Sequence, residues 1–271
     1  VLSGNVAYSS GGGAWSGTAN ALSADRIAWE AIDDVAEATR ADGTVRAELR
    51  TGRHVSPGDA AAGRPGGDAP PASRILLRRR SAVAMAGEGE LSLDAFCVLL
   101  RRLLPGNVPP WDAWPHPPRL HLILFVHRVA GLTPGLYALP RTAGGLDAMQ
   151  RELRADFAWI HIRGVPDDLP LYLLAPADVR QVAAALSCQQ TIASDGCFAV
   201  AMLAEFDAAL DTGDPAAYRL LFWEAGIIGH MLYLEAEAAG VRGTGIGCFF
   251  DDHVHDVLGI RTHALQSLYH F

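Results

Sequence analysis

The chain has 271 residues, half of them apolar, with 22 basic and 30 acidic side chains and a formal charge of −8. Such an acidic surface is a poor match for a phosphate backbone, so nucleic acid is excluded as a partner. All 22 basic residues are arginine; without lysine the chain can build neither a Schiff base nor a lysine-dependent phosphate loop.

Residues 1–72 differ in kind from the rest. Ser9-Ser10-Gly11-Gly12-Gly13 and the stretch from Gly58 to Pro71 have the composition of linkers. Arg26 to Arg40 between them reads as one helix, with Ile27, Ala31, Val35 and Ala36 on a face that docks on the main body. The expected organisation is an arm over residues 1–72 and a domain over residues 73–271. Within that domain Ser92 is placed as a helix N-cap ahead of Phe96, Leu99, Leu100 and Leu103 at helical spacing. Leu120 to Val129 reads as a strand, and Gly131 to Gly135 as a turn into the short run Leu136–Leu139. Leu169 to Leu174 is a second buried strand ending at Pro176, with Ala177 to Leu186 helical after it.

Two long helices are expected next, Asp195 to Leu210 and Pro215 to Ala239. Pro215 sits near the favoured first position and Gly240 at the stop. Gly226 and Gly229 cost helix propensity, which predicts close approach by another helix or a cofactor. Strands separated by helices make an α+β layered domain: a mixed, mainly antiparallel sheet flanked by helices. The most apolar stretch, Leu220 to Leu234, carries Glu224 and His230 and falls short of the ~20 residues a bilayer span needs. No signal peptide opens the chain. Val1 and the closing run Leu268-Tyr269-His270-Phe271 read as the ends of a fragment or a processed chain. Cys97, Cys188, Cys197 and Cys248 show no CxxC spacing, and they read as reduced, buried thiols of a cytoplasmic protein.

Two motifs can carry chemistry. Arg78-Arg79-Arg80-Ser81 puts three guanidinium groups and a hydroxyl in four residues, enough to surround a phosphate with charge-assisted hydrogen bonds; a solvated basic turn is the alternative. Gly243-Thr244-Gly245-Ile246-Gly247-Cys248 follows a helix, whereas a dinucleotide fingerprint must follow a strand and open a helix. It reads instead as a turn whose backbone faces the edge of a flat ligand, or as a plain helix-to-strand turn. Asp251, Asp252, His253, His255 and Asp256 could ligate a metal if His253 and His255 lay on a strand, although such clusters more often cap a helix and face solvent. Glu224 and His230 read as partners in a buried polar contact.

Taken together, Arg79-Arg80-Ser81 and the closing Gly245-Ile246-Gly247-Cys248-Phe249-Phe250-Asp251-Asp252 resemble the nitroreductase superfamily of FMN flavoproteins. The likeness is to its SagB, thiazoline-oxidase-type dehydrogenases, and to the C-terminal half of tandem members. Phe125-Val126-His127-Arg128-Val129, Gly131 to Tyr137, Cys188 with Gln190, Ile192 and Ala193, and Glu224-Ala225-Gly226 belong to the same pattern. The resemblance covers residues 73–271. It implies a nitroreductase-like fold and a long central helix at the interface of a homodimer or a pseudo-dimer with a related half. Arg78, Arg79, Arg80 and Ser81 would then hold the phosphate and ribityl of FMN, with the backbone at Gly247 and Cys248 beside flavin N5 and O4 and Gly245 and Ile246 also binding the cofactor. The implied activity is FMN-dependent oxidoreduction of a small molecule or of an azoline in a modified peptide, with NAD(P)H or oxygen as redox partner. Two departures stand out. His116-Pro117-Pro118-Arg119-Leu120-His121 replaces a Ser-Gly-Gly-rich stretch, and the sequence stops at Phe271. They keep open a second reading, a non-catalytic half that completes a partner's flavin pocket or acts as a scaffold.

Overall fold

The computed structural model describes residues 29–40 and 70–271. Helix α1, Glu30–Ala38, closes the first of two compact units, Val1–Glu37, and the second unit runs from Ala38 to Phe271. The remainder of the expected arm lies outside the described residues.

The second unit is organised by strand β1, Leu120–Val126, which is buried at every position. Side chains alternate across a strand, and here the alternation feeds two separate cores. Leu120, Leu122, Leu124 and Val126 enter one, while Ile123 and Phe125 enter the other. Strand β2, Gly135–Leu139, returns antiparallel to β1. Its hairpin turn has Gly131 at φ 79° and is closed by Tyr137, whose hydroxyl donates to the Thr133 carbonyl at 2.6 Å. With β3, Ile160–His161, β4, Tyr172–Pro176, β5, Phe198–Glu205, and β6, Leu265–His270, the sheet order is β3-β4-β2-β1-β5-β6. Every strand pair is antiparallel; a single parallel bridge joins Leu91 to Val129. The expected α+β architecture, a mainly antiparallel sheet flanked by helices, is the one observed, with all the strand pairs antiparallel.

One face of the sheet is covered by α3, Leu93–Arg101, and by the long helix α8, Ala217–Ala238. Ser92 caps α3, its side chain accepting from the Ala95 amide at 3.2 Å. Helix α8 ends where Gly240 takes φ 77°, and Val241 N–H reaches back to the Ala236 carbonyl at 2.9 Å. Only a residue free to adopt the left-handed region closes a helix this way without strain. The opposite face holds α4, Ala143–Glu152, α5, Arg180–Leu186, and α9, Asp251–Leu258. Two short helices, α6 (Ile192–Asp195) and α7 (Phe206–Leu210), flank β5.

The stretch from Asp195 to Leu210, expected as one helix, is instead the end of α6, then β5, then α7. β5 is central in the sheet, between β1 and β6. Its two faces enter the two cores, Val200, Met202 and Ala204 on one side and Ala199, Ala201 and Leu203 on the other, so Phe-Ala-Val-Ala-Met-Leu-Ala shows no alternation. A fully buried strand and a buried helix cannot be separated by periodicity, and alanine tilted the balance toward helix. The run expected as a strand from Leu169 starts later, at Tyr172. The apolar run at the chain's end is β6.

Candidate functional site

The fold brings the arginine motif to the glycine turn. Helix α2, Ala72–Arg78, ends with Arg79 as its C-cap, and the chain then runs on so that the Ala82 amide donates to the Gly243 carbonyl at 3.0 Å. Tyr233 of α8 fastens the two motifs together. Its hydroxyl accepts from the Gly245 amide at 2.8 Å and lies 3.0 Å from Ser81 Oγ. Its ring lies beneath the Arg79 guanidinium, 5.2 Å from centroid to charge centre. Burial favours the neutral phenol. Hydrogen bonds from Ser81, the Gly245 amide and Thr244, with the Arg79 charge, outweigh it and bring the Tyr233 pKa below its ordinary value. The sequence reading missed this residue, although its place one turn beyond Gly229 on the same helical face was a usable signal.

Beside this junction lies a cavity of ≈510 Å³. Ser81, Arg128, Arg242 and Thr244 line it among mainly apolar residues that include Leu91, Leu99 and Leu232. The three guanidinium groups do not converge on it. Arg80 folds back, donating to the carbonyls of Leu77 at 3.0 Å and Arg79 at 2.7 Å. Arg78 lines a separate cleft with Arg74, Glu237 and Gly240. Arg79 is the half-buried member; it lies over the Tyr233 ring and does not itself line the cavity.

The glycines divide as well. A Cβ at Gly243 would collide with the Phe271 ring, and one at Gly245 with the Tyr269 hydroxyl. At those two positions it is the chain's own aromatic residues that demand glycine. Ile246 is buried and pairs with His270, its amide donating to the His270 carbonyl at 2.9 Å. Only Gly247 opens onto free space. Among the described residues the amides of Gly247, Cys248 and Phe249 make no intramolecular hydrogen bond, so Gly247 and Cys248, both exposed, present free donors at the tip of the turn.

Cys188 and Cys248 do not stand as free thiols: they form a disulfide, with Cα atoms 5.8 Å apart and 60 positions between them. Nothing local predicts that pairing, because it arises from the turn after α5 meeting the glycine turn. Cys97 and Cys197 remain free, and burial pushes the Cys97 thiol up.

Glu224 is buried as expected, but its partner is not His230, which is exposed. The carboxylate accepts from the Arg119 amide at 2.8 Å and the Leu120 amide at 3.4 Å, and pairs with the buried Arg141 guanidinium. Arg141 also donates to the carbonyls of Leu103 at 2.7 Å and Leu120 at 3.0 Å, and lies 4.5 Å from the Trp111 ring centre. His121 joins this network, accepting from the Arg141 amide at 3.0 Å and contacting Glu205 at 2.9 Å. The segment from His116 to His121, in place of a Ser-Gly-Gly-rich stretch, therefore seats a buried polar network at the start of β1. A Cβ at Gly229 would lie 3.4 Å from the Tyr269 ring of β6, and one at Gly226 would meet nothing within 4 Å. The Asp/His cluster lies on α9, with Asp251 and Asp252 in its first turn. On a helix His253 and His255 face different ways, and His255 Nε2 accepts the Ser267 amide at 3.2 Å.

The nitroreductase family profile matches residues 145–271. Among solved structures the chain resembles a protein of Anabaena variabilis assigned as a nitroreductase, at 23% identity and a TM-score of 0.55 over 73% of this chain; this chain spans only 37% of that one. A protein of Ralstonia eutropha with the same assignment matches at 13% identity and a TM-score of 0.52, covering 76% of this chain and 84% of its own. The Escherichia coli microcin synthetase McbBCD complex, with truncated pro-MccB17 bound, matches at 16% identity and a TM-score of 0.52, covering 88% and 84%. None of the proteins with curated functions matches the sequence. The C-terminal part of the chain thus matches the nitroreductase family profile, in a fold similar to that of nitroreductase structures.

Proposed function

We propose that the chain is an FMN-dependent oxidoreductase of the SagB type, acting on a small molecule or on an azoline ring in a modified peptide. The observation that carries this reading is the junction at Tyr233, where Arg79, Ser81 and the glycine turn meet beside one cavity. The residues fit the cofactor. Arg79 and Ser81 offer charge and a hydroxyl to a phosphate dianion. The ≈510 Å³ cavity has a mainly apolar lining and lies within the range of small-molecule sites. The free amides of Gly247 and Cys248 suit the polar edge of a flat ring. FMN, when bound, supplies hydride transfer through its N5, with NAD(P)H or oxygen as the other redox partner. The protein supplies binding, orientation and hydrogen bonds to the ring edge.

The microcin synthetase structure pairs a similar fold with a bound peptide precursor, which supports a modified peptide as substrate class. A second surface supports a partner half. Phe222, Trp223, Ile227 and Leu234 of α8, with Pro109 and Pro110, line an apolar groove of ≈770 Å³, and Trp223 is 59% exposed. An apolar patch on the long helix is the mark of an interface, and we assign it to a homodimer or to a related half. Among the described residues no helix is long and apolar enough to cross a membrane, and the proposal places the protein in the cytoplasm. The absorbance spectrum tests the reading: flavin bands, with FMN released on heating, are expected. A colourless protein that also refuses added FMN would instead establish the non-catalytic half. Arg79→Ala is expected to lower FMN occupancy with the fold intact; unchanged occupancy would remove Arg79 from the phosphate site.

A further inference from the structure

The glycine turn is held at its tip by few contacts. With the amides of Gly247, Cys248 and Phe249 unbonded, the tip is fixed by three features. The Gln190 amide donates to the Cys248 carbonyl at 3.2 Å. The Phe249 ring stacks on His270 with centroids 4.4 Å apart. The third is the Cys188–Cys248 disulfide. Phe250 N–H, donating to the Leu186 carbonyl at 2.9 Å, ties down the next residue. On the other side of the bond, Cys188 and Gln189 occupy the left-handed region in succession, at φ 55° and 61°. Two consecutive non-glycine residues there persist only where the surroundings hold them, and the disulfide is one of the bonds that does so. Cys248 is exposed and Cys188 half-buried, so one sulfur is open to attack and the other is placed as leaving group.

We propose that Cys188–Cys248 is a site of thiol–disulfide exchange with an external dithiol, and that it works as a redox-reversible clamp on the glycine turn. A thiolate of the dithiol attacks Cys248 Sγ. The sulfur–sulfur bond breaks, and its electron pair leaves on Cys188, which takes a proton from solvent. The second thiol of the dithiol then attacks the mixed disulfide and releases Cys248 as a thiol. The dithiol is oxidised to its disulfide by two electrons and the protein bond is reduced by the same two. Reduction leaves Gly247 and Cys248 held by one side-chain hydrogen bond and one ring stack, so the edge assigned to the flavin loses its fixed geometry. A cytoplasmic dithiol would thereby weaken cofactor retention, and oxidation would restore it. This regulatory consequence rests on the FMN reading; the exchange and the loosening do not.

The test uses the full chain, oxidised with diamide and then treated with dithiothreitol under native conditions. Alkylation with iodoacetamide and peptide mapping are expected to show Cys188 and Cys248 protected before the dithiol and both labelled after it. Hydrogen exchange at the bonded amides that flank the disulfide, those of Ile246, Phe250, Ser187 and Gln190, is expected to accelerate at least about tenfold on reduction, a change worth ~1.4 kcal/mol. The Cys188→Ser/Cys248→Ser double variant should match the reduced protein in the presence or absence of dithiol. FMN titration by fluorescence quenching is expected to show weaker binding in the reduced protein and the variant than in the oxidised protein. Thiols labelled without any reductant, a disulfide that survives until the protein unfolds, or unchanged exchange in the turn would each overturn the proposal. If the oxidised protein binds no FMN, the flavin reading fails, while the labelling and exchange data still decide the clamp.

Discussion

Replacing Glu224 with alanine tests whether the buried network at the start of β1 is a mutually dependent unit. The side chains of Arg141 and Glu224 are 0% and 1% exposed, so neither charge has water as an alternative partner. Glu224 also satisfies the Arg119 and Leu120 amides. Burial lowers the Arg141 pKa and the Glu224 charge opposes that shift, which places the guanidinium where its partner matters. Removing one member of a buried pair costs about 3–5 kcal/mol, because the other is left charged and dry. Glu224→Ala should fall in that range. Arg141→Met should cost a similar amount, since it leaves the Leu103 carbonyl and the carboxylate without their donor. The double variant removes both charges together, so its cost should be smaller than the two single costs added, with a coupling of at least about 2 kcal/mol. Urea unfolding followed by far-UV circular dichroism measures all three. A Glu224→Ala cost below about 1 kcal/mol, or costs that simply add, would refute the idea that the pair is interdependent.

Acid should destabilise the protein through its neutral buried histidines. Burial brings His270 down to about 4 from its ordinary 6.5, and burial also lowers His127 and His255. The unfolded chain therefore binds more protons than the folded one between those values; stability is complete above pH 6.5 and falls as pH drops toward 4. The His270 contribution is about 3 kcal/mol. A melting temperature that is flat across that window would contradict it. Gly245→Ala puts a methyl group into the Tyr269 hydroxyl and should cost about 1–3 kcal/mol, whereas Gly247→Ala, facing open space, should stay within about 0.5 kcal/mol. Thermal melts of the two variants check the contrast, which equal losses would remove. Trp223→Glu should shift the protein to a monomer in sedimentation if the groove is a homodimer interface, and an unchanged mass at equal concentration would dismiss that interface.

What could be read from the sequence was what short-range pattern determines. Ser92, the Gly131 turn and Gly240 each answer a backbone demand met by the residue itself or its immediate neighbours, and each was found where expected. β1 was legible because a long run of Leu, Ile, Phe and Val has few other uses. β5 was not, since Ala-Val-Ala-Met-Leu-Ala is a strand only by virtue of the strands that pair with both its edges and the cores that cover both its faces. The same distinction divides the site. Arg79, Ser81 and the glycines announced themselves by composition. The phenol that joins them, the disulfide that pins them and the carboxylate's true partner are tertiary facts, each linking residues more than ten positions apart.

The state of Arg79 is what distinguishes a binding site from a basic turn. Arginines are outnumbered by carboxylates in this chain, and several of those described have found one. Arg101, Arg119, Arg141, Arg154, Arg180 and Arg261 each have a carboxylate oxygen within 4 Å. Arg79 has no ion pair among the described residues, yet it is neither loose nor fully exposed. It is half-buried and held over an aromatic ring whose hydroxyl is itself fixed by the glycine turn. A solvated basic turn would gain from pairing with a nearby acid and would have no need of the aromatic support. On the reading proposed above, a guanidinium kept unpaired over the Tyr233 ring retains its charge for an anion that arrives from outside, and a phosphate dianion matches its planar donors.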